Sequence, residues 1–358
     1  MKTIIKKVDE LKLQPGELSE AAQILRAGGL VAFPTETVYG LGANALETLA
    51  AKKIYEAKGR PSDNPLIVHI CRVEDIEILA QEIPEMAYHL AEVFWPGPLT
   101  MILKKKEIVP YGTTGGLDTV AIRLPANQIA RKLIEEAGVF VAAPSANISG
   151  KPSPTKAEHV IKDMKGKVDM IIDGGAATLG LESTIVDLTG DLPVILRPGC
   201  ITKLMLENVI GKVLVDPAIL NKNPDLNAVP KAPGMKYRHY APEGNLTIYE
   251  GDLKLVIDAI NQNAKGKTES GKRVGVIATD ETKALYRYGT VMTIGSRKDE
   301  ASIAAGLYAI LREFDELHAE YIYTESFADN SLGQAIMNRL LKAAGYKTVK
   351  VTDGQTAQ

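Results

Sequence analysis

Hydrophobic and polar positions along this chain alternate between two periods. Leu18, Ala21, Ala22 and Leu25 recur at helical spacing and predict an amphipathic helix over 18–27. The apolar run 30–33 reads as a strand, ended by Pro34. A helix is predicted over 45–57, stopped at Gly59 with Lys58 in its last turn, followed by a strand over 66–70. Two short helices near 73–81 and 84–94 precede Trp95-Pro-Gly-Pro98, which forces a turn. Strands over 99–103 and 119–124, a helix over 129–137 and a buried strand over 139–143 come next. Thr155-Lys-Ala-Glu158 has the form of a capping box and opens a helix. Strands over 170–172, 184–188 and 194–196 and a helix near 202–209 close the first domain.

From 246 onward the alternation is cleaner. Strands over 246–249, 273–278, 291–294, 320–324 and 347–351 are separated by helices over 252–262, 280–286, 299–313 and 331–344. That order is a small α/β domain of Rossmann-like wind. Between the two regions, 212–244 has little periodicity and holds Pro217, Pro224, Pro230, Pro233 and Pro242. It lacks acidic residues between Asp225 and Glu243 but carries Lys231, Lys236, Arg238 and His239. Such a stretch reads as a solvated linker, or, with Tyr237 and Tyr240, as a functional lid. The expected division is therefore 1–211, linker 212–244 and 245–358.

Composition narrows the class. A chain of 358 residues is long enough for two cores, and 45% apolar with 24% charged residues is ordinary for a globular protein. A net charge of −2 supplies no global field for nucleic acid, so any RNA contact needs a local patch. Two distant cysteines, Cys71 and Cys200, give neither a disulfide framework nor zinc spacing, and the five histidines include no pair at ligand spacing. The N-terminus is too poor in apolar residues for a signal peptide, and no run reaches the roughly 18–20 apolar residues of a membrane helix. A cytoplasmic protein with no membrane contact is expected.

Two familiar nucleotide motifs are present only in damaged form. Gly40-Leu-Gly-Ala-Asn-Ala45 matches a dinucleotide pattern but is separated from its strand by Pro34–Tyr39. Gly266-Lys-Thr268 lacks the first glycine of a P-loop, that position being Asn261. The better candidates are two polar turns at the ends of apolar elements: Lys58-Gly-Arg60-Pro-Ser62-Asp-Asn64-Pro65 and Pro144-Ser145-Ala-Asn147-Ile-Ser149-Gly150. Two fixed cations facing hydroxyls and a carboxamide suit a nucleoside triphosphate. Lys58 and Arg60 also fit a simple helix-dipole role, and the second turn fits a turn with no further duty. In Thr119–Leu124, Thr119, Ala121 and Arg123 share one face, so Arg123 needs either a structural ion pair or a ligand anion. His69 ends a strand and in isolation reads as a satisfied core histidine rather than a ligand. Ser183 has no triad setting and reads as a binding hydroxyl, while Arg197 is a further cation at a strand end.

Taken together, seven segments in one order resemble the YrdC family. They are Pro34-Thr-Glu-Thr-Val-Tyr-Gly-Leu41, Lys58-Gly-Arg-Pro61, Trp95-Pro-Gly-Pro-Leu-Thr100, Val120-Ala-Ile-Arg-Leu-Pro125, Ala143-Pro-Ser-Ala-Asn-Ile-Ser-Gly150, Glu182-Ser-Thr-Ile-Val-Asp187 and Leu196-Arg-Pro-Gly199. Pro233-Gly-Met-Lys-Tyr-Arg-His-Tyr-Ala-Pro242 resembles the linker of the family's long form. The match covers about 1–210 and the linker; 245–358 is similar by position and layout more than by motif. The resemblance implies an α/β fold, with a twisted mixed sheet, flanking helices and a cationic concavity ahead of the smaller domain. It implies an enzyme that forms L-threonylcarbamoyladenylate and pyrophosphate from L-threonine, bicarbonate or CO₂, and ATP with Mg²⁺ on its phosphates and no protein metal ligands. The product would pass to a tRNA threonylcarbamoyl transferase, with at most weak tRNA contact by this chain. By motif, Lys58, Arg60, Ser145 and Asn147 correspond to the family's Lys-Arg-Ser-Asn tetrad. Thr35, His69, Arg123 and Ser183 correspond to the threonine-binding set, and Lys58, Ser62, Thr119, Ser145, Arg197 and Tyr240 to ATP contacts.

Competing readings are an RNA-binding module using the concavity, a carbamoyl-adenylate enzyme of hydrogenase maturation, and a scaffold. The near-neutral charge disfavours the first, the missing zinc-finger cysteines the second, and the polar turns the third.

Overall fold

A computed structural model describes residues 2–220, 232, 239–328, 331–352 and 355–356. It divides into two compact units, one of 1–149 with 153–237 and one of 150–152 with 238–358. The division falls inside the segment read as linker. Of the expected lid, Lys231, Lys236, Tyr237 and Arg238 lie outside the described residues.

The first unit is built on a 12-stranded mixed sheet. Its strands are β1 Ile4–Lys7, β2 Val31–Phe33, β3 Gly40–Asn44, β4 Ile67–His69, β5 Ala80–Gln81, β6 Leu99–Lys105, β7 Thr119–Arg123, β8 Val141–Ala142, β9 Met170–Asp173, β10 Thr184–Asp187, β11 Val194–Arg197 and β12 Leu214–Val215. They lie in the order β1-β9-β2-β3-β8-β4-β7-β6-β10-β11-β12, with β5 beside β6. Gly40–Asn44, discounted as a dinucleotide turn, is an interior strand. Gly42 is needed there: a Cβ would come within 2.7 Å of Val141 and 2.8 Å of Phe33. Several short elements have no counterpart in the periodicity, β5, β12 and the helix Pro217–Leu220 among them. β1 carries a mixed Ile-Ile-Lys-Lys sequence, and the helix Tyr111–Thr114 is a single turn.

The period-2 rule decides what the sheet presents. In the β4-β7-β6-β10 half, Val68, Val120, Ile122, Met101, Leu103 and Val186 face the main core. Alternate positions Ile67, Ala121, Ile102 and Ile185 face the other way and form a small cluster with Leu196 and Ala232. No described helix contributes to that second cluster. By the same parity His69, Arg123, Thr119, Thr100 and Ser183 fall on this open face. Helices cover both faces of the other half: Ser19–Arg26 and Gln128–Ala137 pack on Val31, Phe33, Val141, Met170 and Ile172. Gln128–Ala137 buries Ile129, Ala130, Leu133, Ile134 and Ala137, is capped by Asn127 and ends at left-handed Gly138. The expected capping box does not form. The helix starts at Ala157 without a side-chain cap, and the Thr155 backbone N–H donates instead to His159 Nδ1 at 3.2 Å.

The second unit has strands β13 Asn245–Gly251, β14 Val274–Ala278, β15 Thr290–Thr293, β16 Tyr321–Glu325, β17 Thr348–Thr352 and β18 Gln355–Thr356. Their order is β15-β14-β16-β13-β17-β18, parallel except for the last pair. This is the expected small parallel α/β unit. Its strand order differs from the dinucleotide one, because β16 inserts between β14 and β13. The helix predicted over 280–286 is reduced to a 3₁₀ turn at Lys283–Leu285. Gly266-Lys-Thr268 lies inside the helix Leu253–Glu269 and forms no phosphate loop.

Candidate active site

The two polar turns meet. Lys58 is the last residue of the helix Thr48–Lys58, whose chain turns away through left-handed Gly59 (φ 60°). Its side chain is 2% exposed. The ammonium crosses to the other turn, donating to the carbonyls of Ser145 at 2.5 Å and Asn147 at 2.6 Å and to Asn147 Oδ1 at 3.3 Å. Ser145 Oγ donates to the same Asn147 Oδ1 at 2.5 Å. The helix-dipole alternative therefore fails for Lys58, whose ammonium reaches a different segment. Arg60 folds back on its own loop, donating to the carbonyls of Asn64 at 3.3 Å and Pro65 at 3.1 Å. Arg60 and Ser62 line a cavity of about 950 Å³ with Tyr55, Tyr111 and the backbone of Gly112, Gly115 and Gly116.

At the carboxyl ends of β4 and β7, His69 and Arg123 are register partners. Arg123 donates through Nε to the Gly97 carbonyl at 3.2 Å, through Nη1 to Thr37 Oγ1 at 3.0 Å and through Nη2 to Glu36 Oε1 at 2.6 Å. A guanidinium has five N–H groups, so two remain. Glu36 is equally telling. Its side chain is 10% exposed, and its Oε2 is buried with no hydrogen-bond partner. Burial pushes this carboxyl up, but the charge and hydrogen bond of Arg123, with the nearby backbone N–H groups of Ala126 and of Glu36 itself, outweigh that and hold it below the usual carboxylate range. His69 is driven down to about 3 by burial and then by Arg123, so its imidazole is neutral. Thr35 Oγ1 donates to the Val38 carbonyl at 2.6 Å and accepts from the N–H groups of Thr37 and Val38, which fixes the Glu36 loop.

Ser183 and Arg197, assigned to different ligands on sequence, touch each other. Arg197 Nη2 donates to Ser183 Oγ at 3.1 Å and Nε to the Ser183 carbonyl at 3.0 Å. Ser183 Oγ also shares a 2.7 Å bond with Thr100 Oγ1. Thr119 sits at the opposite end of β7 from Arg123, roughly 13 Å away at strand rise. Tyr240 belongs to the second unit. It has φ 65° and stacks on Tyr308 at 5.2 Å, with the Arg339 guanidinium 5.9 Å from its ring. Glu36 is the site residue that single-residue reasoning missed. The signal was available: a buried Arg123 demands an acid, and Glu36 lies in one of the quoted motifs.

A mixed sheet with half of one face free of described helices and lined by buried arginines and hydroxyls, with a buried lysine joining two turns, defines an anion-handling α/β protein. Comparison with known proteins gives the family. Residues 23–199 match the profile described as "Telomere recombination", which covers Sua5, YciO and YrdC proteins, and 201–345 match "Threonylcarbamoyl-AMP synthase, C-terminal domain". The chain is 50% identical to the threonylcarbamoyl-AMP synthase of Pyrococcus abyssi over 98% of its own length and 100% of that protein. It is 50% identical to that of Bacillus subtilis over 96% and 97% of the two chains. The crystal structure of P. abyssi Sua5 complexed with L-threonine superposes with a TM-score of 0.92 at 50% identity, covering 98% of this chain and 100% of that one. The chain belongs to the Sua5/YciO/YrdC family, in its two-domain form.

Proposed function

We propose that the open face of the first unit's sheet, with the two joined turns at its rim, carries the chain's reaction. The chain is a nucleotidyltransferase that converts L-threonine, bicarbonate or CO₂, and ATP into L-threonylcarbamoyladenylate and pyrophosphate, for threonylcarbamoyl modification of tRNA. The observation that supports this placement is the incomplete ion pair of Arg123 and Glu36. A zwitterionic amino acid supplies both missing halves, its carboxylate for the two remaining Arg123 N–H groups and its ammonium for Glu36 Oε2. The relative crystallised with L-threonine supports the same reading.

Threonine ammonium and bicarbonate give carbamate, water and one proton. A carbamate oxygen then attacks the α-phosphorus, forming the new O–P bond as pyrophosphate leaves. At neutral pH His69 is a neutral imidazole and Glu36 a carboxylate, each with lowered proton affinity and hence a weak base, so both orient substrate and the released proton goes to solvent or bicarbonate. The rest is positioning and charge neutralisation. Ser183 and Arg197 mark where the amino-acid and nucleotide sets meet, hence where carbamate and α-phosphate come together. Lys58, Arg60, Ser62, Ser145 and Asn147 hold the phosphates, with Thr119 at the far end of the face; the family resemblance adds Tyr240 as an ATP contact. Ala232, from the linker, is buried on the same apolar face, which supports a lid. Among the described residues no cluster of His, Cys, Asp or Glu could hold a metal ion. Mg²⁺ would therefore arrive on the ATP phosphates and neutralise their charge. The product passes to a tRNA threonylcarbamoyl transferase, and the setting is cytoplasmic.

The test is pyrophosphate release from ATP. Release should require both threonine and bicarbonate. Release that ignores either substrate, or none with both present, overturns the reading.

A further inference from the structure

Thr37 is buried in the loop between β2 and β3, next to Glu36. The family resemblance gives it no role. Its hydroxyl nevertheless touches two residues that the resemblance assigns to threonine. Arg123 Nη1 donates to Thr37 Oγ1 at 3.0 Å, and Thr35 Oγ1 lies 2.8 Å from the same oxygen. All three residues are buried.

The proton on each hydroxyl can be placed. A guanidinium donates and never accepts, so Thr37 accepts from Arg123. Thr35 Oγ1 stands 2.6 Å from the Val38 carbonyl, which only accepts, so the single Thr35 proton lies between them. The Thr37 proton alone is then left to join the two hydroxyls. Donation therefore runs one way, from Arg123 to Thr37, to Thr35, to the Val38 carbonyl. In a low-dielectric interior the members of such a chain polarise one another, and each is held more firmly than an isolated bond would hold it.

Three contacts orient the Arg123 guanidinium: the Gly97 carbonyl at Nε, Glu36 at Nη2 and Thr37 at Nη1. The group is planar. Two anchors leave a plane free to tilt about the line joining them, and a third removes the tilt. Thr37 is the anchor on Nη1. The two N–H groups left over, one on each Nη, take their direction from that plane.

We propose that Thr37 is a positioning residue for threonine binding, fixing the tilt of the Arg123 guanidinium and so the aim of the two N–H groups left for the substrate carboxylate. This rests on the reading that Arg123 binds that carboxylate.

The test uses the full chain and pyrophosphate release from ATP, with threonine and ATP varied separately. Thr37→Val keeps the side-chain shape and removes the hydroxyl. KM for threonine should rise several-fold, while KM for ATP holds and kcat stays within about twofold. Thr37→Ser keeps the hydroxyl and should bring KM for threonine back to near wild type. If Thr37→Val does not fold, Thr37→Ala should show the same split. A hydroxyl with a structural role alone would lower the denaturant midpoint and leave KM for threonine where it was. Arg123→Lys, measured alongside, separates the two readings. A large rise in KM for threonine there, with none in folded Thr37→Val, would overturn the role of Thr37 alone. No rise in Arg123→Lys would overturn the carboxylate reading, and the role of Thr37 with it. Equal rises for threonine and ATP in Thr37→Val, or a Thr37→Ser no better than Thr37→Val, would also overturn the assignment.

Discussion

Each unit buries one arginine–glutamate pair near the carboxyl end of its parallel strands, and the two pairs differ in completeness. In the second unit Glu325 ends β16 and is 1% exposed. Its Oε2 accepts from Arg297 Nε at 3.0 Å and from Arg297 Nη2, and its Oε1 from Thr282 Oγ1 and from Tyr286 at 3.4 Å. Arg297 also donates to the Ser326 carbonyl at 2.9 Å and lies over the Phe327 ring. By topology this place should attract a ligand, since the connections leaving β14 and β16 diverge there. Its polar groups are instead satisfied by the chain itself. In the first unit Glu36 keeps one buried oxygen unpartnered, and Arg123 keeps two N–H groups. A closed pair holds a fold; an open pair with the same residue types keeps hydrogen-bonding capacity for the substrate proposed above.

The comparison breaks most visibly at Arg297. Arg297 is 28% exposed, but its loss leaves the carboxylate of Glu325, 1% exposed, without its charge partner, so Arg297→Met should destabilise the second unit in denaturant unfolding. Turnover per folded molecule should stay near wild type. A folded, stable variant that has lost turnover would make Glu325–Arg297 functional and erase the contrast. Next in size is Lys58→Ala. It removes the cation joining the two turns and should lower turnover more than ~10²-fold, as loss of a preorganised donor does. Near-normal pyrophosphate release would detach Lys58 from the site.

His69 tests the electrostatics of the open pair. Its folded value of about 3 lies far below the ordinary 6.5, so between these values the unfolded chain binds the proton that the folded one excludes. Stability from this group is therefore complete above pH 6.5 and is lost as pH falls toward 3. At pH 5 the loss should be about 2 kcal/mol relative to pH 7. His69→Gln should remove that slope from the difference between the two unfolding curves. An identical slope in the variant would mean that His69 titrates normally and that its burial beside Arg123 does not depress it.

Much of this was legible in sequence because hydrophobic period and turn chemistry act locally. Val120 and Ile122 against Ala121 and Arg123 predicted a two-faced strand, and the structure places those faces as the alternation required. What failed was also physical. Thr155 and Glu158 have capping-box identities, yet His159 takes the N–H that the box would use. Residues 280–286 have helical composition, but Thr282 bonds Thr279 on one side and donates to Glu325 on the other, and only one 3₁₀ turn forms. Glu36 escaped notice as an individual residue because its importance lies in a contact with Arg123, 87 positions away, which no local pattern encodes. Ser183 and Arg197 were sorted apart for the same reason.

The finest test compares Glu36→Gln with Glu325→Gln. Both changes keep shape and remove a charge. Glu325→Gln loses an acceptor whose donors all come from the chain, so it should lower stability and leave the threonine dependence alone. Glu36→Gln retains an oxygen toward Arg123 but presents an amide where threonine ammonium would bind. A hydrogen bond to a charged group contributes about 1.5 kcal/mol at the low end, so kcat/KM for threonine should fall about tenfold. Most of that should appear in KM, since the contact already exists in the ground state, and the KM for ATP should hold. An unchanged KM for threonine in Glu36→Gln would mean that the unpartnered oxygen faces something other than substrate, and the open pair would then be no more functional than the closed one.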